Sequence, residues 1–180
     1  EKDLFISRAT KLYEFWNNGE DSVLSGVEAL VFVVGADDDS PPYSKSNALQ
    51  FWLFNYELND TLSIFTKSRI YFLASSRKAQ FLAPIASKES AGILPPVEVM
   101  LREKSDKDQS NFNKLAAILK DLSNKLGFFK KDIFNSAFAK AWEKTLQDND
   151  ITLTSDVSQS FAHLFSRKDE REVDPCKKAA

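Results

Sequence analysis

The chain holds one cysteine, one histidine, one methionine and five glycines among 180 residues. A single thiol, Cys176, cannot build a disulfide framework, and its solitude fits a reducing compartment. One histidine excludes His-rich metal sites and leaves His163 as the sole candidate for imidazole general-base work. His163 sits between Ala162 and Leu164 on a helical pattern with no partner constellation. It reads as a partly buried helix histidine rather than a catalyst. Cys176 lies in a charged tail with no nearby histidine to activate it. The scarce glycines leave no phosphate-cradling loop. Gly35 follows an apolar run, but Ala36, Asp37, Asp38 and Asp39 come next, and three carboxylates repel phosphate. These aspartates do not match EF-hand spacing, and consecutive side chains point apart, so a solvated loop is favoured over a Mg²⁺ or Ca²⁺ site. No catalytic, cofactor-binding or metal-ligating residue is expected, and no cofactor.

Long apolar runs are also missing, and none approaches the length of a membrane-spanning helix. Glu1-Lys2-Asp3 leads straight into an amphipathic pattern, without the marks of a signal peptide. Asn59-Asp60-Thr61 matches a glycosylation tripeptide, but such matches arise often by chance. There is little excess of charge. The 24 basic and 26 acidic residues give a net charge of −2. A duplex-DNA binder needs a concentrated basic face. Lys125, Lys130, Lys131, Lys177 and Lys178 form no stripe interleaved with aromatics, and Arg77 and Lys78 read as a solvated face. No sequence-specific nucleic-acid contact and no membrane partner are expected.

What the chain does have is phenylalanine, 15 of them, with three tryptophans and 43% hydrophobic residues overall. That is enough for one sizeable core. The densest stretch is Tyr43 to Thr61. Leu49, Trp52, Leu53 and Tyr56 share one helical face there, and Ala48, Phe51, Phe54 and Leu58 fill much of the rest. A helix apolar nearly all round is covered on more than one side, by core or by a partner. Core burial is favoured, because clustered Phe and Trp are usually internal.

Phe5, Ala9, Leu12 and Trp16 predict a first helix ending near Gly19, and Val27 to Val34 a buried strand. The aromatic helix follows from about Ser44 to Leu58. The runs 61–66 and 69–75 predict a hairpin broken at Lys67-Ser68. Ser76 to Ala86 predicts a short helix and Val97 to Arg102 a strand. Ser110 is expected to cap a helix bearing Phe112, Leu115, Leu119 and Leu122. Lys125 to Lys130 predicts a strand, and Asp132 is expected to cap a helix burying Phe134, Ala137, Phe138, Ala141 and Trp142. Ile151 to Leu153 predicts a last strand, and Val157, Phe161, Leu164 and Phe165 a last helix. Alternating strands and helices with one hairpin predict an α/β fold, a mixed sheet sandwiched between helices. Residues 1–166 form the single domain in this reading, and 167–180 a charged tail.

YSKSNALQFWLFNYELNDTLSIF resembles the N-terminal lobe of the large subunit of FACT, a histone chaperone that reorganises nucleosomes. ISRATKLYEFW, VEALVFVVG, RIYFLASSRKAQFLAPIA, KLGFFKKD and ITLTSDVSQSFAHLFSRKDE extend the resemblance over essentially the whole chain. It implies the creatinase/aminopeptidase P N-terminal lobe fold, with a ribonuclease H-like motif. It also implies a second, pita-bread lobe, whose linking helix would begin near Lys177-Lys178-Ala179-Ala180.

The resemblance implies a non-catalytic, protein-binding lobe acting in nucleosome reorganisation during transcription, replication and repair. Its implied partners are core histones and, through other domains, the HMG-box-containing subunit of FACT. Its implied location is chromatin in the nucleus. A basic partner makes exposed carboxylates the candidate contacts: Asp37, Asp38 and Asp39 in one loop, and Glu57 and Asp60 at the end of the aromatic helix. The alternative is the substrate-shaping N-terminal lobe of an aminopeptidase P or creatinase-like metallopeptidase, with the metal ligands in the other lobe.

Overall fold

A computed structural model describes residues 2–36, 44–122 and 125–167. Helix α1 (Lys2–Asn17) buries Phe5, Ala9, Leu12 and Trp16 as their spacing requires. It is followed by Gly19 at φ +74°, a left-handed turn that a side chain would strain. The short α2 (Ser22–Ser25) is capped by Asp21, whose carboxylate accepts from the Val23 and Leu24 N–H groups. Strand β1 (Ala29–Val34) then enters the core, and α3 (Lys45–Phe54) is the aromatic helix.

Strands β2 (Thr61–Thr66) and β3 (Ile70–Ala74) form the expected hairpin. Its turn has no glycine, and Thr66 supplies the missing chemistry. The Thr66 N–H and hydroxyl both donate to the Arg69 carbonyl at 2.9 and 2.7 Å, and the Arg69 N–H donates to the Thr66 hydroxyl at 2.9 Å. Helix α4 (Ser76–Leu82) runs into a 3₁₀ turn at Ala83–Ile85. The remaining elements are β4 (Val97–Leu101), α5 (Gln109–Lys120), β5 (Leu126–Phe128), α6 (Ala137–Asp148), β6 (Ser155–Asp156) and α7 (Ser158–Ser166).

The six strands form one sheet in the order β4-β3-β2-β1-β5-β6. β1 and β3 are antiparallel to β2, whereas β3–β4, β1–β5 and β5–β6 are parallel. The pleat sends alternate side chains to opposite faces. On one face Leu30, Phe32, Phe65 and Phe72 meet α1, α3, α4 and α7. On the other, Ala29, Val31, Ile64 and Leu73 meet α5 and α6. Covered on both sides, β2 and β3 are buried throughout and β1 nearly so. Ring pairs stiffen the first layer. Phe5 stacks on Phe54 at 5.5 Å, and Phe32 on Phe129 at 4.4 Å.

Four expected details differ. Helix α3 stops at Phe54, because Asn55 turns left-handed at φ 55° and its N–H returns to the Phe51 carbonyl. Leu58 still reaches the core, since the Gln50 amide brackets its N–H and carbonyl at 2.6 and 2.8 Å. Helix α5 starts from Asp108 rather than Ser110, whose N–H instead meets the Asp106 carboxylate at 3.0 Å. Helix α6 is capped by Ser136, not Asp132. The last strand is Ser155–Asp156 rather than Ile151 to Leu153. With β5 only three residues long, its ladder reaches only Gly127↔Ser155 and Phe128↔Asp156, and Ile151 and Leu153 pack on the α5–α6 layer as loop.

Candidate functional site

Of the carboxylates picked out in the sequence, Glu57 and Asp60 are placed near the two ends of one loop. Asp37, Asp38 and Asp39 themselves lie outside the described residues. Where that loop leaves β1, the Gly35 carbonyl accepts from the Asp60 N–H at 3.0 Å. Where it enters α3, the Ser44 hydroxyl lies 2.7 Å from Asn47 Oδ1 and 3.2 Å from Asp132 Oδ2. Asn47 Nδ2 in turn donates to Glu57 Oε2 at 3.4 Å. Glu57 and Asp60, separated from the triplet in sequence, are thus tied to the loop's two ends.

The two differ in availability. Glu57 is exposed and offers its charge to solvent. Asp60 is half-buried at φ 48°, and its Oδ1 is enclosed with no hydrogen-bond partner among the described residues. A carboxylate held this way shapes the corner more readily than it reaches outward.

Sequence reasoning missed Asp132 as a member of this corner. Its Oδ1 accepts from the Lys45 N–H at 3.2 Å and its Oδ2 from the Ser46 N–H at 2.6 Å, so it caps the start of α3. The four leading N–H groups of a helix lack partners within it, and an anion there also meets the positive end of the helix dipole. No local signal could have found this contact, because the partners are 86 and 87 residues apart.

The aromatic helix divides between core and surface. Leu49, Leu53 and Phe54 are buried, whereas Phe51 and Tyr56 are 56% and 53% exposed. Tyr56 lies 5.2 Å from the partly exposed Phe81 of α4, a small aromatic surface patch. The expectation of core burial therefore fails for Phe51 and Tyr56. Among the described residues no element covers the α3 face there.

His163 is exposed rather than partly buried, 5.8 Å from the Phe15 ring and 3.3 Å from an Arg167 guanidinium nitrogen. Cys176 lies outside the described residues. Among the described residues no group of three His, Cys, Asp or Glu side chains is placed to share a metal ion, and no helix is long and apolar enough to cross a membrane.

The mixed sheet between two helical layers is a fold also seen in aminopeptidase P-type chains. An Xaa-Pro aminopeptidase chain from Streptococcus pyogenes superposes with a TM-score of 0.51 at 14% identity, covering 87% of this chain and 95% of that one. That likeness concerns the fold alone. The N-terminal domain of FACT complex subunit SPT16 from chickpea superposes with a TM-score of 0.83 at 22% identity, covering 97% of this chain and 40% of that one. The family described as the FACT complex subunit SPT16 N-terminal lobe domain matches residues 1–160. FACT complex subunit spt-16 of Caenorhabditis briggsae is 44% identical over 179 residues, and ctc-2 of Neurospora crassa 32% identical over 179. The chain belongs to the FACT SPT16 N-terminal lobe family. It spans about 17% of the length of these two relatives.

Proposed function

We propose that this chain is a non-catalytic, protein-binding lobe of a FACT-type histone chaperone, working on chromatin in the nucleus during transcription, replication and repair. The family match over residues 1–160 carries the proposal. Relatives named as FACT complex subunits favour it over the peptidase reading, because the aminopeptidases share the fold at only 14–18% identity. The partners are core histones, and the HMG-box-containing FACT subunit engages through other domains. The contact residues are Asp37, Asp38 and Asp39, together with Glu57 and Asp60, which are tied to the two ends of that loop.

Exposed charges steer encounter more than they hold a complex together. They are screened beyond about 8 Å at physiological ionic strength. Titrating core histones into the 180-residue chain by calorimetry at two salt concentrations tests the reading. Saturable binding that weakens with salt is expected. Replacing Asp37, Asp38 and Asp39 together by Ser should lower the association rate more than it changes dissociation. No saturable binding would remove histones as partners of this lobe. Unchanged association kinetics at low salt would remove the loop.

A further inference from the structure

The sheet ends at β4, and part of that strand's outer side is open. Hydrogen bonds to β3 use alternate residues. The Ile70 N–H donates to the Pro96 carbonyl and the Arg102 N–H to the Ala74 carbonyl, both at 2.9 Å, so Glu98 and Met100 also face β3. Val97, Val99 and Leu101 therefore turn their backbone groups outward. Val97 is guarded, because it exchanges both bonds with Ser87 at 2.9 and 3.0 Å. The Leu101 carbonyl is guarded as well, since Asn111 Nδ2 donates to it at 2.8 Å. Antiparallel to β4, the Ser87 segment would reach Val99 at Ile85, but Ile85 belongs to the 3₁₀ turn. The Val99 N–H and carbonyl and the Leu101 N–H have no backbone partner among the described residues.

Two features set this gap apart from an ordinary sheet edge, which is short, charged or covered. A groove of about 550 Å³ adjoins it, with Val97, Val99, Ala86 and Ser87 in its lining. Arg69, Lys88 and Glu98 supply the groove's charge. Glu98 is answered by Lys114 at 3.5 Å, whereas neither Arg69 nor Lys88 makes an ion pair among the described residues. The groove is thus basic on balance, beside strand groups that lack a strand. Leu101, 55% exposed, adds apolar surface at the far end of the gap.

We propose that the β4 edge takes an extended acidic segment of a partner protein, paired at Val99 and Leu101 as an added strand, with its carboxylates turned to Arg69 and Lys88. Unpaired strand N–H and C=O groups are complementary to another extended main chain. A sugar–phosphate chain has no N–H to give the Val99 carbonyl. The two unmatched cations favour carboxylates over a basic segment. A second copy does not fit. Two β4 edges joined antiparallel about Val99 would set Leu101 of one against Val97 of the other, where Ser87 already sits. The proposal goes beyond histone binding, since this partner is acidic and none of Asp37, Asp38 and Asp39 takes part.

The test follows the backbone amide signals of Val99 and Leu101 in the isotope-labelled 180-residue chain by NMR. The probe is acetyl-Asp-Glu-Val-Thr-Val-Thr-amide. The controls are the same peptide with both acids replaced by lysine, and oligothymidylate. Saturable shifts at both amides that weaken with salt are expected for the acidic peptide. The lysine peptide should bind about 5-fold more weakly, two exposed ion pairs' worth. Val99→Pro deletes the outward N–H and spares the β3 ladder, because Val99 does not donate to β3 and proline suits such edge positions. It should weaken the acidic peptide about 2- to 10-fold, one hydrogen bond's worth, read at the Leu101 amide. If that variant misfolds, the acidic peptide N-methylated throughout takes its place, and should not bind. Arg69→Glu with Lys88→Glu should reverse the preference to the lysine peptide. Unshifted signals, unaltered affinity in Val99→Pro or for the N-methylated peptide, or a charge preference that is absent or survives the reversal would overturn the proposal. So would oligothymidylate binding as tightly at the same signals, or shifts at Val99 on concentrating the chain alone, which would mark a second copy as the occupant.

Discussion

Asp132 does from a distance what a neighbouring residue does in most helices. It takes the Lys45 and Ser46 N–H groups, while the Ser44 hydroxyl takes that of Asn47 at 3.2 Å. Between them they satisfy the first turn of α3. Losing a cap of this kind costs about 1–2 kcal/mol. Asp132→Ala should therefore lower the urea midpoint at an unchanged m-value. An unmoved midpoint would show that the first turn finds other partners. Tyr13 offers a test by pH. Burial holds its phenol well above the ordinary tyrosine range, and its hydroxyl donates to the Thr66 carbonyl at 2.7 Å. The folded-state value lies above the unfolded one of about 10. The stability tied to the protonated phenol is therefore complete below about pH 10 and is lost as pH rises from there. Tyr13→Phe should cost about 1 kcal/mol near neutrality and flatten the alkaline fall in stability. Some slope should remain, because Tyr71 is raised too, chiefly by burial, with Arg69 opposing and Glu98 reinforcing. Equal alkaline slopes in variant and parent would place the titration elsewhere.

At the scale of elements, α3 shows how far periodicity reads. Its start at Ser44 was legible because serine is a good cap before an apolar run. Its faces were not, because apolar residues encircle it and no polar stripe marks the outside. The fold resolves this by packing Leu49, Leu53 and Phe54 inward and leaving Phe51 out. Its end at Asn55 was hidden as well, since hydrophobic residues continue to Leu58 while the backbone turns away. Deleting most of a buried leucine costs about 2–5 kcal/mol, whereas surface changes stay within about 0.5 kcal/mol. Leu53→Ala should thus fall in the first range and Phe51→Ser in the second, both read by denaturant unfolding. Comparable losses at the two sites would put Phe51 in the core. The acidic corner was legible only in its composition. Sequence named Asp37, Asp38, Asp39, Glu57 and Asp60, but the hydrogen bonds that tie Asp60 to Gly35 and Asp132 to α3 depend on the sheet being assembled.

For the whole molecule, the class of the fold could be read from the order of strands and helices, and the strand order could not. Residues Ala29 and Leu30 pair with Leu126 and Gly127, a long-range parallel match with no local signature. The same long-range closure sets the domain boundary, which we propose at residue 166. Among the described residues, helix α7 is the last contributor to the core. Phe161 lies 5.3 Å from Phe32 and 5.2 Å from Phe129, and Leu164 is buried beside it. Arg167 adds only its guanidinium over the Phe15 ring at 4.9 Å. Truncation after Arg167 should move the thermal midpoint by no more than about 2 °C, because a change of about 1 kcal/mol shifts a domain of this size by about 2–4 °C. Truncation before Ser158 should abolish the cooperative transition. Each large aromatic lost from a core costs about 3–5 kcal/mol, and a domain holds only about 5–15 kcal/mol in all. Removing Phe161 with Leu164 and Phe165 exhausts most of that margin and opens the first helical layer to water. A cooperative transition surviving the longer truncation would move the boundary to before α7. A fall of more than about 4 °C with the shorter one would make the charged tail part of the fold.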